Sequence, residues 1–378
     1  MDIAKQYTDA FKADCAKLNI KWPETVIPAT GCIDEYIKII SSLLEKGFAY
    51  ISQGNVYFDS SKLDNYYRFG NQNQDELVVG ARDTVEEDKG KKNQNDFVLW
   101  FTKSKFENHA LKWDSPWGEG YPGWHIECSG ISHKYLGEYL DIHCGGVDNK
   151  FPHHTNEIAQ TESFVGHKWC NLWFHSEHLN TKAGKMSKSN GDFLTLTKLN
   201  DMGYSPMVYR LFCLQSHYRK QLVFSEEGLD SAKSAYEKLI KRIQKLDNTN
   251  TEVNKSTFDE FRNKFAQALE KDLNTASALT IVFDVLKSDT NDGTKIALLK
   301  EFDTVLGLDF NKAIENNIIE DTVTVDTDFE KYILEMIEKR KLAKQGKDYA
   351  TADAIRNELS SKGVDLIDTP QGTTYKLK

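Results

Sequence analysis

Long apolar runs are missing from this 378-residue chain, and none approaches the ~20 consecutive residues that a membrane-spanning helix needs. The first residues, MDIAKQYTDAFKADCAKL, are polar and amphipathic and lack the apolar core of a secretory signal. A cytoplasmic location without membrane attachment is therefore the expectation. An excess of positive charge is absent too. Lys and Arg number 48 against 57 Asp and Glu, a net charge of −9, so any grip on nucleic acid must come from local patches and not from bulk basicity. Cysteine is sparse. The six residues Cys15, Cys32, Cys128, Cys144, Cys170 and Cys213 are too few for a disulfide scaffold at this length, and no two stand in CxxC spacing, which removes a zinc ribbon. Proline is scarce and uneven: five of the seven fall at or before Pro152, and none lies between Pro206 and Pro370.

What is present is an ordinary globular balance, 39% hydrophobic and 28% charged. The length, against a typical domain of ~150 residues, predicts two or three domains. The proline-free stretch holds only five glycines and reads as long amphipathic helices, most clearly over 225–246 and 258–288. Ser225, followed by Glu226 and Glu227, is a natural N-cap with an acidic first turn. The polar run 246–256 reads as the loop between them. All seven tryptophans lie between Trp22 and Trp173, in a half punctuated by Gly and Pro that reads as mixed α/β. There, IDEYIKIISSLLEKGFAY is a helix ended by Gly47, AYISQGNVYFD a hairpin turning at Gln53-Gly54-Asn55, and DFVLWF a strand. LDIHCGGVDNKFPHHTNEIAQTES reads as a short strand, a turn at Gly145-Gly146 and a helix opened by Pro152. α/β proteins bind ligands at such strand ends.

On that helix His153 and Glu157 are four residues apart and share a face, while Cys128 in PGWHIECSG offers a thiolate from a separate segment. Cys, His and Glu together form a mixed, borderline-soft set that suits Zn²⁺ better than Mg²⁺ or Ca²⁺, with a fourth position open. The same residues also fit a core cysteine and a surface pair. His154, next door, faces elsewhere, as a core or phosphate-facing histidine. AGKMSKSNG (183–191) lacks the glycine spacing and the hydroxyl of a Walker A loop. It leaves Lys185 and Lys188 three apart among small residues, either a polyphosphate-reaching loop with backbone amides from Ser187 to Ser189 or a solvated basic turn. Trp124 lines a small pocket or simply packs. Two basic stripes, Lys238/Lys241/Arg242/Lys245 and Lys339/Arg340/Lys341/Lys344/Lys347, either track a phosphate backbone or form solvated helix faces.

The segments PGWHIECS, FPHHTNEIAQ, KMSKS and KDYATADAIRNELSSKGVDLIDTPQGTTYK, in this order, resemble those of cysteinyl-tRNA synthetases, a family of class I aminoacyl-tRNA ligases. KMSKS is shared by many class I synthetases, whereas Cys128, His153 and Glu157 beside Trp124 narrow the likeness to the cysteine family. The resemblance implies an α/β fold: a partial Rossmann-like parallel-sheet catalytic domain, then an α-helical bundle, then a small C-terminal α+β domain. It divides the chain into 1–175 (a truncated nucleotide-binding domain with an inserted helix and hairpin region), 176–205 (the KMSKS loop and stem-contact region), 206–320 (a helical tRNA-binding domain) and 325–378 (a small anticodon-side domain). By the same resemblance Cys128, His153 and Glu157 hold one Zn²⁺ that takes the thiolate of substrate cysteine, and Trp124 packs around that amino acid. Gly145, Gly146 and Asp148 lie near the adenosine. Lys185, Met186, Ser187, Lys188 and Ser189 cover ATP, supplied with Mg²⁺, and Lys188 stabilises the α-phosphate in forming cysteinyl-adenylate. Cysteine tRNA is the acceptor.

The family also carries a His-Ile-Gly-His motif and a further zinc-ligating cysteine in a leading half. None of the ten histidines here stands in His-x-Gly-His spacing, and Cys15 and Cys32 lie in helical contexts. The resemblance therefore implies a chain truncated at its N-terminal side and weak in adenylation by itself. Two other readings compete with the ligase: a non-catalytic tRNA- or zinc-binding module, and a ligase placing cysteine on a small amine. The helical domain and the 347–376 tail suit a tRNA better than a small amine.

Overall fold

The computed structural model describes residues 2–66, 90–104, 110–181, 184–185, 194–316, 327–346, 348–369 and 372–377. Helices α1 (Asp2–Lys17) and α2 (Ile33–Glu45) lead into the antiparallel strands β1 (Ala49–Ser52), β2 (Asn55–Phe58), β3 (Phe97–Phe101) and β4 (Tyr121–Pro122), which pair in that order. The chain leaves α2 through Gly47 at φ 76°. The β1–β2 turn is tighter than expected, because Asn55 is already in β2 opposite Ser52. Gln53 and Gly54 alone carry the positive φ values, 51° and 95°, that a two-residue hairpin with the native twist requires. One face of this sheet packs on α2, α3 (Trp124–Leu136) and α4 (Thr155–Val165), closing a core around Tyr36, Ile39, Leu43, Val56, Phe58, Leu99, Trp100 and Ile126.

Asp96, 1% exposed at the entry to β3, fastens the edge of this core. Its carboxylate accepts from the Tyr50 hydroxyl at 2.6 Å, the Ser60 amide at 2.9 Å, the Ser60 hydroxyl at 2.7 Å and the Asn93 amide at 2.9 Å. Burial pushes its pKa up, but these donors outweigh burial and hold it below the ordinary 3.8. A depressed carboxylate contributes stability that is present above the unfolded-state value and is lost as pH falls through the folded one. Asp96→Ala is expected to cost about 2–3 kcal/mol at neutral pH, since it strands buried donors. Its deficit should shrink below pH 4, near the ordinary value of 3.8. Urea unfolding of the two proteins across that range checks both points.

α3 leads into β5 (Leu140–Gly146), which α4 connects to β6 (Cys170–Ser176), and the two strands pair in parallel with Ile142 opposite Leu172 and Gly145 opposite His175. This is the strand–helix–strand unit of an α/β sheet. Two local expectations are corrected here. Gly145 and Gly146 belong to β5, and the turn comes afterwards at Val147–Asn149. Pro152 does not open α4: it sits in a kinked segment, Lys150–His154, and the helix starts at Thr155. The ring of Pro152 disfavours helical geometry at the residue before it, and Phe151 is extended at φ −140°, ψ 133°.

Next come β7 (Leu179–Thr181), β8 (Gly184–Lys185), α5 (Leu196–Asp201), α6 (Pro206–Leu214) and β9 (Leu222–Phe224), the strands ordered β8-β7-β9 with β7 and β9 parallel. The helices α7 (Glu226–Ile243), α8 (Lys255–Glu270), α9 (Thr275–Lys287), α10 (Asp292–Leu306) and α11 (Phe310–Glu315) follow. The Ser225 hydroxyl caps α7 by accepting from the Gly228 amide at 3.1 Å. The 258–288 stretch is two helices and not one: Asp272 and Leu273 are left-handed at φ 60° and 53°, and Asn274 caps the second. Asn-Thr is a strong cap pair, and it stops a pattern that amphipathic spacing alone would continue. Leu239, Phe265, Val282, Leu298, Leu299 and Phe302 form the core of this bundle.

α12 (Thr327–Gln345), α13 (Tyr349–Ser361) and the hairpin β10 (Val364–Thr369) and β11 (Gly372–Leu377) build a separate α+β core around Ile333, Leu359 and Val364. Arg340 belongs partly to that core at 3% exposed, with Nη1 3.5 Å from the Thr373 hydroxyl, so it drops out of the exposed basic stripe. Lys347 lies outside the described residues. No helix among the described residues is long and apolar enough to cross a membrane.

Candidate metal centre

Two elements bring the candidate ligands together. Cys128 sits on the second turn of α3, and any side chain at Gly123, which caps α3, would run into the Val98 carbonyl, so glycine there lets the helix start against β3. His153 comes from the kinked segment and Glu157 from the first turn of α4. Donor atoms of Cys128, His153 and Glu157 all lie within 4.8 Å of one another. His143 of β5, His154 and Glu157 meet the same limit.

Glu157 is fully buried at the centre. His153 Nε2 stands 2.9 Å from its Oε1 and His143 Nε2 3.2 Å from its Oε2, but among the described residues neither oxygen receives a hydrogen bond of good angle. A buried carboxylate left this way calls for a cation. Burial raises its pKa, yet the two imidazoles prevail and hold it at about 2, so it stays ionised. Cys128 is the reverse: burial first, then the charges of Glu157 and Glu127, push its thiol up to about 12. Without a cation it remains a thiol. Burial, with His153 next to it, brings His125 down to about 3, and burial brings His154 and His175 to about 4, so all three are neutral at physiological pH. His125 Nδ1 is 2.8 Å from His153 Nδ1, and His154 Nδ1 is 2.8 Å from His175 Nε2.

Trp124 is 59% exposed and stacks on His153 with ring centroids 4.3 Å apart, an indole standing at the rim of the centre. Gly145 lies against it from β5: a Cβ there would come 2.6 Å from His154 Cε1 and 2.9 Å from both His154 Nε2 and Asn149 Nδ2. A Cβ on Gly146 would meet Asp148 Oδ1 at 2.5 Å. Gly145→Ala should therefore displace His154, costing about 1–3 kcal/mol by overpacking and weakening metal affinity. Thermal melts and a zinc competition titration check it. Lys185 pairs through its backbone with Asn180 in the β7–β8 hairpin. Met186, Ser187, Lys188 and Ser189 lie outside the described residues.

Spacing did not single out the histidines around the centre, His125, His143 and His175, and left His154 aside. The available signal was their density, eight of ten histidines falling between His125 and His178.

The family model described as the class I (C) tRNA synthetase catalytic domain matches residues 1–234. A cysteine–tRNA ligase of Treponema denticola is 43% identical over 400 residues, covering 100% of this chain and 80% of that protein. Another, of Brachyspira hyodysenteriae, is 42% identical over 397 residues, covering 100% and 81%. Among solved structures, a putative arginyl-tRNA synthetase of Campylobacter jejuni aligns at TM-score 0.40 with 15% identity, over 88% of this chain and 61% of that one. The LeuRS of Agrobacterium radiobacter K84, in a ternary complex with tRNA and LeuAMS, aligns at 0.41 with 12% identity, over 55% and 34%. The domain match over more than half of the chain, and relatives above 40% identity along all of it, place this chain in the cysteine–tRNA ligase family of the class I tRNA synthetases.

Proposed function

We propose that this chain activates cysteine with ATP and transfers it to cysteine tRNA in the cytoplasm, using one Zn²⁺ held by Cys128, His153 and Glu157. The observation that carries the reading is the convergence of a thiol, an imidazole and a wholly buried carboxylate within 4.8 Å. The set fits zinc by its softness and by the need of Glu157 for a cation. Bound there, zinc offers a soft partner to the cysteine thiolate that a serine hydroxyl cannot match.

The chain's own residues supply the rest. Trp124, exposed beside His153, packs over the bound amino acid. Gly145 and Gly146 let the adenosine approach the backbone at the carboxyl end of β5, next to Asp148. Lys185 and Lys188, assisted by the amides of Ser187 to Ser189, bind the phosphates of ATP–Mg²⁺, and Lys188 offsets the charge that builds on the α-phosphate. The cysteine carboxylate attacks that phosphorus and pyrophosphate leaves; a terminal tRNA hydroxyl then displaces AMP. Residues 1–175 and 176–205 form the catalytic side, and 206–320 and 325–378 hold the tRNA. The exposed Lys238, Lys241 and Arg242 of α7, Lys245 just past its end, and Lys339, Lys341 and Lys344 of α12 lie along its backbone.

The test is cysteine-dependent ATP–pyrophosphate exchange with zinc-loaded protein, followed by charging of cysteine tRNA. With no His-x-Gly-His pair in the sequence, exchange is expected to be slow. It should nonetheless be specific for cysteine and abolished by Lys188→Ala and by Cys128→Ser. Exchange that is equal with serine, or indifferent to both substitutions, overturns the proposal. Cysteine and tRNA binding without any exchange favours the non-catalytic module.

A further inference from the structure

The two oxygens of Glu157 face in different directions. Oε1 is 2.9 Å from Nε2 of His153, on the side of Cys128, whereas Oε2 is 3.2 Å from Nε2 of His143, on the side of β5. His154 completes a second group with His143 and Glu157, again with all donor atoms within 4.8 Å. The two groups are built alike. Each takes one histidine from the kinked segment, and each of these has a further histidine 2.8 Å from its Nδ1, His125 behind His153 and His175 behind His154. Outer partners of this sort fix the ring orientation of metal-ligating histidines. Glu157, His153 and His154 are 0%, 5% and 1% exposed, so this is an enclosed cluster and not a surface coincidence.

From these observations we propose that His143, His154 and Glu157 form a second divalent-metal position, with Glu157 bridging it to the first through its other oxygen. Two histidines and a carboxylate, without a thiolate, make a harder set than the Cys128 centre, suited to Zn²⁺ or Co²⁺ with a position left open. A carboxylate that offers one oxygen to each ion is the usual bridge of two-metal sites, whose ions stand ~3.5–4 Å apart. This second position lies on the Gly145 side of Glu157, where a Cβ would touch His154. An ion there faces the carboxyl end of β5.

The position is tested on the whole chain, stripped with a chelator and titrated with Co²⁺ alone. Two ions per chain are expected. Only the Cys128 centre gives a thiolate-to-cobalt charge-transfer band; the second ion adds ligand-field absorption without it. His154→Gln should fall from two ions to one and keep the band. Cys128→Ser should also fall to one and lose the band. His143→Asn repeats the His154 test by another route, with circular dichroism confirming that each variant is folded. Saturation of the unsubstituted chain at one ion overturns the proposal. So does a second ion that persists in both His154→Gln and His143→Asn, since it is then bound elsewhere. A missing charge-transfer band in the unsubstituted chain instead counts against the Cys128 centre, so the two assignments fail separately.

Discussion

Cys128→Ser is expected to lower zinc affinity by more than about 100-fold, beyond the 10–100-fold that outer-shell changes cost. The substitution removes one atom's softness and little volume, so its effect isolates the chemistry of the ligand. Zinc binding through this thiol also depends on pH. The Cys128 thiol, raised to about 12 by burial and by the carboxylates of Glu157 and Glu127, must give up its proton when a metal binds. Zinc affinity of the unsubstituted chain should therefore climb by about tenfold per pH unit through the neutral range, because each unit eases loss of that one proton. Serine binds without losing a proton, so the variant's affinity should be both lower and nearly flat with pH. Competition against a chromophoric chelator at several pH values measures slope and affinity together. A variant that keeps the affinity and the slope removes Cys128 from the ligand set.

Phe302→Ala is expected to be the most destabilising single change in the helical bundle. Phe302 is 1% exposed on α10, and its ring lies parallel to that of Phe265 on α8, with centroids 4.0 Å apart and planes 6° from parallel. Leu298 and Leu299 are 0% exposed in the same cluster, which leaves little room for collapse around a deletion. Truncation of a buried phenylalanine costs about 3–5 kcal/mol, of which ~0.5–1.5 comes from the lost aromatic pair. Phe302→Leu, which keeps most of the volume, should cost less than half as much. The core around Tyr36, Trp100 and Ile126 contains none of these residues. Zinc affinity of folded Phe302→Ala should then match that of the unsubstituted chain. Urea unfolding and the chelator titration give the two readings. A loss below about 1 kcal/mol would mean that α8 and α10 do not depend on this contact.

The parts of the fold written locally were legible. The hairpin at Gln53-Gly54, read one residue too long, the stop at Gly47 and the Ser225 cap each rest on one or two residues whose backbone preference neighbours do not override. The break at Asp272–Leu273 was not, because amphipathic spacing runs through it and masks the local cap at Asn274. Pro152 misled for a related reason. It is a good first-turn residue, but it also restrains the residue before it, and that second effect decides where α4 begins. In the candidate centre, the four-residue spacing paired His153 with Glu157, although His153 lies in the kinked segment ahead of α4 and not on the helix itself. Cys128 joined them by its chemistry and by the resemblance, not by spacing. His143, His154 and His175 come from β5, the kinked segment and β6, and only the parallel pairing of β5 with β6 sets them side by side. No spacing rule contains that contact.

In the proposed function, the Cys128, His153 and Glu157 centre selects cysteine by its sulfur. The most direct test of this selection is the affinity of the zinc-loaded chain for cysteine and for serine, measured by calorimetry and repeated after zinc is stripped. Ordinary pocket contacts separate such close analogues by no more than about 200-fold. The expected result is a preference for cysteine well beyond that limit in the zinc-loaded chain, collapsing when the metal is removed. Equal affinity for the two amino acids, or a preference that survives without zinc, would contradict it.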